Sequence, residues 1–323
     1  MKKWLKRISI GLLIVFLIVS AVTYIRFTAW RNEVTKDLVY DSKVVQTAKG
    51  SIEYAEIGHG PSVLLIHGNP GGYDQVYQVL KLQHAENGAF RYIIPSRPGY
   101  LRTPLSVGRT PKEQAEALAA LLDSLKIDKV AVIGGSGGGP SAVEFAALYP
   151  KRCVALVLEA AITGRIVAPK PGIAEAVIKN TVGYDFSFWL LKNQFVAGLQ
   201  AKDPNDPEIT AIATAILDSA VPYARRKDGW DNDTEQWAKL GELPFASIRC
   251  PTLILHGSAD QNVPPAQAEF AHSQIAGSKL VTLSGQDHWM VITKHSELDG
   301  FSHAFLVEHL GSDSVSLAPS APK

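Results

Sequence analysis

The stretch VIGGSGGGPSA, residues 132–142, places a cluster of glycines between an apolar run and a segment with helical character. Residues 134–138 fit G-x-S-x-G, the strand-to-helix elbow that exposes a serine. Residues 137–142 also fit G-x-G-x-x-A, the turn of a dinucleotide site, and Glu159 stands where a ribose-binding acid could lie. Features elsewhere in the chain are needed to distinguish a phosphate-binding turn from a turn that carries a nucleophilic serine.

Composition excludes several classes of protein. The chain has 323 residues, 46% of them hydrophobic and 20% charged, which suits one large globular domain with an insertion or two small ones. A net charge of +1 gives no basic field, so nucleic acid is not expected as a partner. With two cysteines and neither C-x-x-C nor H-E-x-x-H, the sequence predicts no disulfide scaffold, metal or cofactor.

The N-terminus carries an uncharged stretch, residues 8–25, with the sequence ISIGLLIVFLIVSAVTYI. At about 1.5 Å per residue such a helix is roughly 27 Å long, close to the hydrocarbon thickness of a bilayer. A signal peptide, cleaved near residues 19–21, is the alternative, but its apolar region normally has only about 7–15 residues. Residues 1–30 therefore predict an uncleaved membrane anchor. Residues typical of the membrane interface follow the span: Arg26, Trp30 and Arg31.

Basic residues are unevenly distributed around this span. Four precede it, Lys2, Lys3, Lys6 and Arg7, whereas those that follow are more widely spaced and mixed with acidic residues. The positive-inside rule then keeps the N-terminus in the cytoplasm and exports the rest of the chain. The sequence thus predicts a single-pass membrane protein with an extracytoplasmic domain.

Short apolar runs alternate with helical patterns over most of the remaining chain. Strands are predicted at 43–48, 51–57, 62–66, 91–94, 129–133, 154–158, 252–255 and 279–283, the first two as a hairpin. Helices are predicted at 110–125, after the glycine cluster to 149, at 265–276 and at 296–310. This alternation is typical of the α/β class, with a mostly parallel central sheet covered by helices on both faces.

Residues 164–247 interrupt the alternation. They are mostly helical in pattern and rich in aromatic residues, which more often form a core than the wall of a binding site. They predict a helical cap inserted into a core made of residues 43–163 and 248–310, and residues 311–323 predict a disordered tail. Asn232 begins an N-glycosylation sequon, a tripeptide that often arises by chance.

The order of the strands favours the serine elbow. A dinucleotide site normally uses the first strand of its unit, whereas several predicted strands precede this glycine cluster. A serine hydroxyl needs a base within hydrogen-bond reach and an acid that orients the base. Asp260 follows one later strand and His288 follows the next. Ser136, Asp260 and His288 are therefore the predicted catalytic residues, in the chain order expected for a G-x-S-x-G elbow.

Over residues 43–310 the chain resembles the α/β-hydrolases. HGNPGG at residue 67 resembles the family's oxyanion loop, SRPGY the glycine loop after the next core strand, GGSGG the elbow and LHGSADQNVPP the acid segment. The resemblance implies an oxyanion hole made by the backbone N–H groups of Asn69 and Gly137. One departure is Asp287, where the family usually has glycine, and we expect its side chain to face solvent. Glu159 is the fallback for the triad acid.

The resemblance leaves more than one activity open. Haloalkane dehalogenases and epoxide hydrolases carry a loop similar to HGNP but use an aspartate nucleophile, so a serine at position 136 disfavours those reactions. A serine hydrolase that cleaves a carboxylic ester or related acyl bond of a small apolar substrate fits best. Proline iminopeptidases share a similar loop, so an aminopeptidase or amidase is the alternative. A catalytically silent binding protein is a third possibility. The sequence assigns no oligomeric state.

The sequence also supports predictions about two further pairs of residues. Cys153 and Cys250 precede two strands that should be neighbours, so an oxidising compartment would permit a bridge if their Cα atoms lie within about 7 Å. Two buried, unpaired thiols are the favoured reading. His67 and His256 each precede a glycine at a strand end, where a structural hydrogen-bonding role is expected.

Overall fold

The computed structural model of the protein describes residues 2–38, 41–167 and 183–311. Part of the predicted cap, residues 168–182, and residues 312–323 of the predicted disordered tail therefore lie outside the described residues.

The described chain contains a sheet of eight strands in the order β1-β2-β4-β3-β5-β6-β7-β8. The strands are β1 Lys43–Thr47, β2 Gly50–Gly58, β3 Ser62–Ile66, β4 Arg91–Pro95, β5 Val130–Gly135, β6 Cys153–Glu159, β7 Thr252–Gly257 and β8 Lys279–Leu283. Strand β2 runs antiparallel to β1 and β4, and the other neighbouring pairs are parallel. The predicted hairpin and the mostly parallel α/β sheet are confirmed.

Helices cover both faces of the sheet. In the described residues the α-helices are, in chain order, α1 Lys2–Thr35, α2 Tyr73–Leu82, α3 Pro111–Ser124, α4 Gly139–Leu148, α5 Tyr184–Gln200, α6 Glu208–Asp218, α7 Lys227–Lys239, α8 Pro265–Gln274, α9 Met290–Thr293 and α10 His295–Leu310. Along β3, Leu64 and Ile66 pack with α3, α4 and α8, whereas Val63 and Leu65 pack on the other face with α2 and α10. Successive strand residues point to opposite faces, so a strand buried on both faces reads as one continuous apolar run.

Helix α3 begins where the sequence predicts. The Thr110 Oγ1 accepts a hydrogen bond from the Glu113 backbone N–H at 3.2 Å, and the Glu113 carboxylate accepts one from the Thr110 N–H at 2.9 Å. This reciprocal capping box satisfies two backbone donors that a helix start leaves unpaired. Pro111 occupies the first helical position, where a missing N–H costs nothing.

Among the described residues between β6 and β7 are three α-helices, α5, α6 and α7, which we call the inserted helices. Helices α5 and α6 share an apolar cluster with Ile292 of α9. Asn232 and Asp233 are buried in α7, and the Asn232 amide donates to the Arg109 carbonyl at 2.8 Å. The sequon at Asn232 is therefore inaccessible in the folded protein.

The N-terminal helix α1 is one continuous helix of 34 residues. The most apolar 18-residue window within Trp4–Thr35 has a mean hydropathy of 2.6, and none of that window is buried in the protein. By length and composition it can cross a membrane, although an N-terminal signal sequence meets the same criterion.

The two cysteines are neighbours across β6 and β7. The Cys153 and Cys250 sulfur atoms are 3.6 Å apart, and both side chains are buried and free. The hydrogen bond with Cys250, together with burial, raises the pKa of the Cys153 thiol well above its ordinary value. This pair matches the expected buried, unpaired thiols.

Candidate active site

Ser136 stands on a sharp turn between β5 and α4. Its φ is +44°, a left-handed conformation that costs a non-glycine residue energy. The backbone around this turn is packed so closely that only glycine fits at the next positions. A Cβ on Gly138 would lie 2.4 Å from the Ile66 carbonyl oxygen, and one on Gly139 would lie 2.4 Å from that of Ile162. The glycines therefore allow the strand-to-helix elbow that the sequence predicts.

The three predicted catalytic side chains form one hydrogen-bonded chain. The Ser136 Oγ lies 3.1 Å from the His288 Nε2, and the His288 Nδ1 lies 2.8 Å from the Asp260 Oδ2. The carboxylate fixes the tautomer: Nδ1–H donates to Asp260, so Nε2 is free to accept the serine proton. The structure thus brings together Ser136, Asp260 and His288 in a geometry suited to activating a nucleophile.

Asp260 is held as an anion. Burial by itself raises the pKa of its carboxyl, but the hydrogen bond and charge of His288 and the backbone N–H of Val263 outweigh burial and lower the pKa below its usual value. The Oδ1 accepts from the Val263 N–H at 2.8 Å and from the Asn262 N–H at 2.9 Å. A Cβ on Gly257 would lie 2.3 Å from the Gln286 carbonyl oxygen, so this glycine lets the histidine loop approach the acid loop.

The backbone N–H groups predicted for the oxyanion hole lie beside the serine. A Cβ on Gly137 would lie 3.3 Å from the Asn69 nitrogen, and one on Gly68 would lie 3.2 Å from the Ser136 Cβ. The loop that carries Asn69 is fixed by the Gln75 amide oxygen, which accepts from the Gly68 N–H at 3.0 Å. These contacts place the backbone of Asn69 and Gly137 side by side next to Ser136, and their role as an oxyanion hole stays a prediction.

A buried ion pair joins the oxyanion loop to the inserted helices. The Arg97 guanidinium, at the end of β4, donates to both Asp233 oxygens on α7 at 2.8 and 2.6 Å. It also donates through Nε to the His67 carbonyl at 3.0 Å. The Tyr100 hydroxyl donates to Asp233 at 2.6 Å, and the Asn69 amide lies 3.4 Å from the same carboxylate. Asp233 therefore supports the site from the inserted helices.

A second buried pair repeats this arrangement. Arg226, just before α7, donates to both oxygens of Asp74 on α2 at 3.0 and 2.7 Å. Sequence reasoning missed both pairs. The SRPGY motif points to a special role for its loop, but no local pattern shows that the partner of Arg97 lies 136 residues away.

A cavity of about 1170 Å³ opens above Ser136 and His288. Aromatic side chains of the inserted helices form part of its wall: Tyr184, Phe188, Trp230 and Trp237. Trp237 lies directly over the elbow, because a Cβ on Gly137 would meet its ring at 2.6 Å. The aromatic residues that the sequence favours as core thus also face a binding cavity.

Three other carboxyl groups near the site, including the fallback acid Glu159, have other partners. Glu159 accepts a hydrogen bond from the Ser302 Oγ at 2.7 Å, and burial raises the pKa of its carboxyl. Asp299 lines the same cavity, and burial followed by the charge of Glu159 raises its pKa to about 7. Asp287 forms an ion pair with Lys202 between α5 and α6, with 36% of its side chain exposed. Asp287 therefore contacts the inserted helices as well as solvent.

The two histidines next to glycines are structural. His67 is fully buried and accepts at Nε2 from the Arg97 N–H at 2.9 Å, and burial lowers its pKa well below the ordinary value. His256 donates through Nε2 to the Val263 carbonyl at 2.9 Å, and burial lowers its pKa as well. Over the described ranges, no group of three or more His, Cys, Asp or Glu side chains could hold a metal ion.

This fold and this arrangement of side chains define a class of protein, the α/β-hydrolases, and comparison with known proteins agrees. A model of the alpha/beta hydrolase fold family matches residues 61–295. The chain therefore belongs to this family and is a hydrolase.

Individual relatives are more distant. The chain is 27% identical over 275 residues to the uncharacterized hydrolase YcgS of Bacillus subtilis, covering 78% of this chain and 93% of that protein. It is 29% identical over 269 residues to the 2-hydroxy-6-oxo-6-phenylhexa-2,4-dienoate hydrolase of Burkholderia cepacia, covering 74% and 85%. An alpha/beta hydrolase fold protein from Nakamurella multipartita superposes with a TM-score of 0.73 at 33% identity, covering 84% of this chain and all of that one.

Proposed function

We propose that the protein is a membrane-anchored serine hydrolase that cleaves a carboxylic ester or related acyl bond of a neutral, largely apolar substrate. The observation that carries this proposal is the hydrogen-bonded chain from Ser136 through His288 to Asp260 beside a large cavity. A hydrolase-fold protein without catalytic activity would not need all three side chains in this hydrogen-bonded arrangement.

In the proposed reaction the Ser136 Oγ attacks the substrate carbonyl carbon while its proton passes to the His288 Nε2. The resulting oxyanion accepts hydrogen bonds from the Asn69 and Gly137 N–H groups, each lowering the barrier by about 3 kcal/mol in comparable sites. The bond to the leaving alcohol then breaks as His288 returns the proton to it. Water, deprotonated by His288, next attacks the acyl-enzyme and releases Ser136 and the carboxylic acid.

Asp260 serves this cycle without changing its own charge. Its carboxylate holds the imidazole with Nε2 facing the serine and stabilises the imidazolium that forms twice per turnover. The inserted helices act as the cap of the site. They supply the aromatic wall that excludes water and places the acyl or alcohol group.

Relatives of this chain include hydrolases of dienoates, whose substrates carry a carboxylate. The described wall of the cavity disfavours such an anion because three carboxyl side chains line it, those of Glu159, Glu208 and Asp299. The guanidinium groups of Arg97 and Arg226 are already paired with aspartates. These carboxyl groups supply no positive charge that could balance a substrate anion, and an anion placed beside any of them that is ionised costs several kcal/mol, so a neutral ester fits this cavity better.

A substrate panel tests this choice. We expect hydrolysis of p-nitrophenyl esters with a preference for longer acyl chains, and kcat/KM at least about a hundredfold lower for a 2-hydroxy-6-oxo-dienoate. Prolyl arylamides test the aminopeptidase alternative in the same assay. The Ser136→Ala variant is the blank for every substrate. Turnover of the dienoate or of the arylamides with no ester hydrolysis would contradict the assignment.

Membrane anchoring and orientation complete the proposal. Helix α1 has the length and hydropathy of a membrane span, and its basic residues are concentrated before the apolar stretch. The hydrolase domain is then extracytoplasmic. Protease added to intact cells or spheroplasts should digest the domain and spare a cytoplasmic protein of the same cells. A domain that stays protected until the membrane is lysed would place it in the cytoplasm.

A further inference from the structure

Helix α5 exposes an unusual surface. Its 17 residues include two charged ones, Asp185 and Lys192, and both are engaged inward. The Asp185 Oδ2 accepts from the Arg31 Nε at 2.9 Å, and the Lys192 Nζ lies 2.6 Å from the Asp218 Oδ1. The outward side of α5 therefore presents no charged side chain to water.

Large apolar side chains occupy that outward side. Leu190 and Leu191 are each 57% exposed, and Phe195 is 39% exposed. These three residues are called the α5 outer face. Single exposed apolar residues are ordinary, but these three, with the exposed neutral residues Asn193 and Gln194 among them, give α5 an uncharged, partly apolar outer surface suited to an interface.

The position of this face relative to α1 indicates its partner. The Phe27 ring contacts Phe186 and Trp189 of α5 with centroids 5.2 and 5.8 Å apart, and Lys192 lies over the Trp30 ring at 4.8 Å. Because α1 has no break, Phe27 is only about 3 Å along the helix axis beyond the uncharged stretch that ends at Ile25. Residues that touch Phe27 are thus held at the level where α1 leaves the bilayer.

The same helix also reaches the wall of the cavity. Tyr184 and Phe188 line it, and the Phe195 ring lies 4.8 Å from that of Trp289, the residue after His288. Helix α5 therefore connects the anchor, an exposed apolar face and the wall of the cavity.

We infer that the α5 outer face rests in the interface of the membrane that α1 crosses, and that the cavity takes amphiphilic esters dissolved in that membrane. The inference rests on the proposed function for the anchor and the reaction. Leu190 and Leu191 immediately follow Trp189, which contacts Phe27, so they lie within one helical turn of the level where α1 leaves the bilayer. An apolar helix face in that position is buried by about 5–10 Å in the interface. The substrate then reaches the cavity along α5 without crossing water.

A depth measurement tests the seating. The full chain is reconstituted into phosphatidylcholine nanodiscs with and without lipid that carries a nitroxide high on the acyl chain. A bimane label at Leu190→Cys should lose about half or more of its fluorescence to the nitroxide. A label at Phe270→Cys, which replaces a 47% exposed phenylalanine on α8, should lose none. The buried native cysteines make the wild type the labelling blank. Equal fluorescence at Leu190→Cys with and without nitroxide would overturn the inference.

A kinetic measurement tests the supply of substrate. The Leu190→Glu/Leu191→Glu variant should lose at least about tenfold in kcat/KM for a long-chain ester held in the nanodisc and keep its rate on a water-soluble short-chain ester. Phe270→Glu should change neither rate. Unchanged turnover of the bilayer ester, or an equal loss on both esters, would overturn the inferred route. If the wild type hydrolyses neither ester while the Leu190→Cys label is quenched, the proposed ester hydrolysis is wrong, but the placement of the α5 outer face in the membrane interface is supported.

Discussion

Replacing Ser136 with alanine should lower kcat by about four to six orders of magnitude and leave KM nearly unchanged. The reason is the geometry of one hydrogen-bonded chain: the serine supplies the electron pair, and His288 at 3.1 Å takes its proton. Without the hydroxyl, only the oxyanion donors and substrate binding remain. A fluorophosphonate probe should label the wild type and spare Ser136→Ala.

His288→Ala should cost about as much as Ser136→Ala, and the double variant should be no slower than either single one. When residues act as one catalytic unit, removing a second residue lowers kcat no further. This lack of additivity distinguishes a working triad from two independent effects on folding. His272→Ala and Ser273→Ala, an exposed histidine and serine on α8, are the matched controls and should keep the wild-type rate. Equal probe labelling of Ser136→Ala and the wild type would remove the assignment.

The identity of the acid follows from a further comparison. Asp260→Asn keeps the shape of the side chain but lets the amide donate toward His288, which favours the wrong tautomer and should lower kcat by about four orders of magnitude. Glu159→Gln should cost far less, because its carboxyl accepts from Ser302 rather than from the imidazole. A larger loss for Glu159→Gln would make Glu159 the triad acid.

Local sequence patterns predict most of the sheet and of the candidate site. Strand β3 and strand β8 fall where the sequence predicts them, because each is a short apolar run bounded by turn residues. The elbow, acid and histidine loops follow strands whose carboxyl ends meet at one edge of a parallel sheet, so chain order alone predicts that Ser136, Asp260 and His288 converge. The structure shows that convergence, and their catalytic role stays a prediction.

The sequence does not predict the elements whose positions depend on residues far away in the chain. Helix α2 is not among the predicted helices, although Tyr73, Val76, Tyr77 and Leu80 recur along it at helical spacing; it has only ten residues and follows a glycine-rich loop. Its burial comes from tertiary contacts, including the pair of Asp74 with Arg226 from the insertion. Within residues 164–247 the sequence pattern predicts helices but not how they pack on the core. The limits of the cap stay a prediction.

Asp233→Ala should destabilise the protein by about 3–5 kcal/mol, because it leaves the Arg97 guanidinium buried without its counter-charge. Both side chains are at most 3% exposed, so water cannot replace the lost carboxylate. Burial, followed by the charge of Asp233, raises the pKa of Tyr100 well above its ordinary value, so its hydroxyl stays protonated and also loses its acceptor. Urea unfolding of the full chain in detergent micelles, followed by tryptophan fluorescence, measures the loss.

The same helix provides the control. Glu235 pairs with Lys239 on the exposed side of α7, and Glu235→Ala should give an unfolding curve that overlays the wild type because surface pairs contribute little. Arg97→Met/Asp233→Leu, which removes both charges and fills their volume, should recover most of the stability lost in Asp233→Ala. It should not recover activity, because Arg97 also holds the His67 carbonyl beneath the oxyanion loop, and a shift of about 1 Å there can cost a hundredfold in rate. A double variant with wild-type kcat would mean that the buried pair serves stability alone.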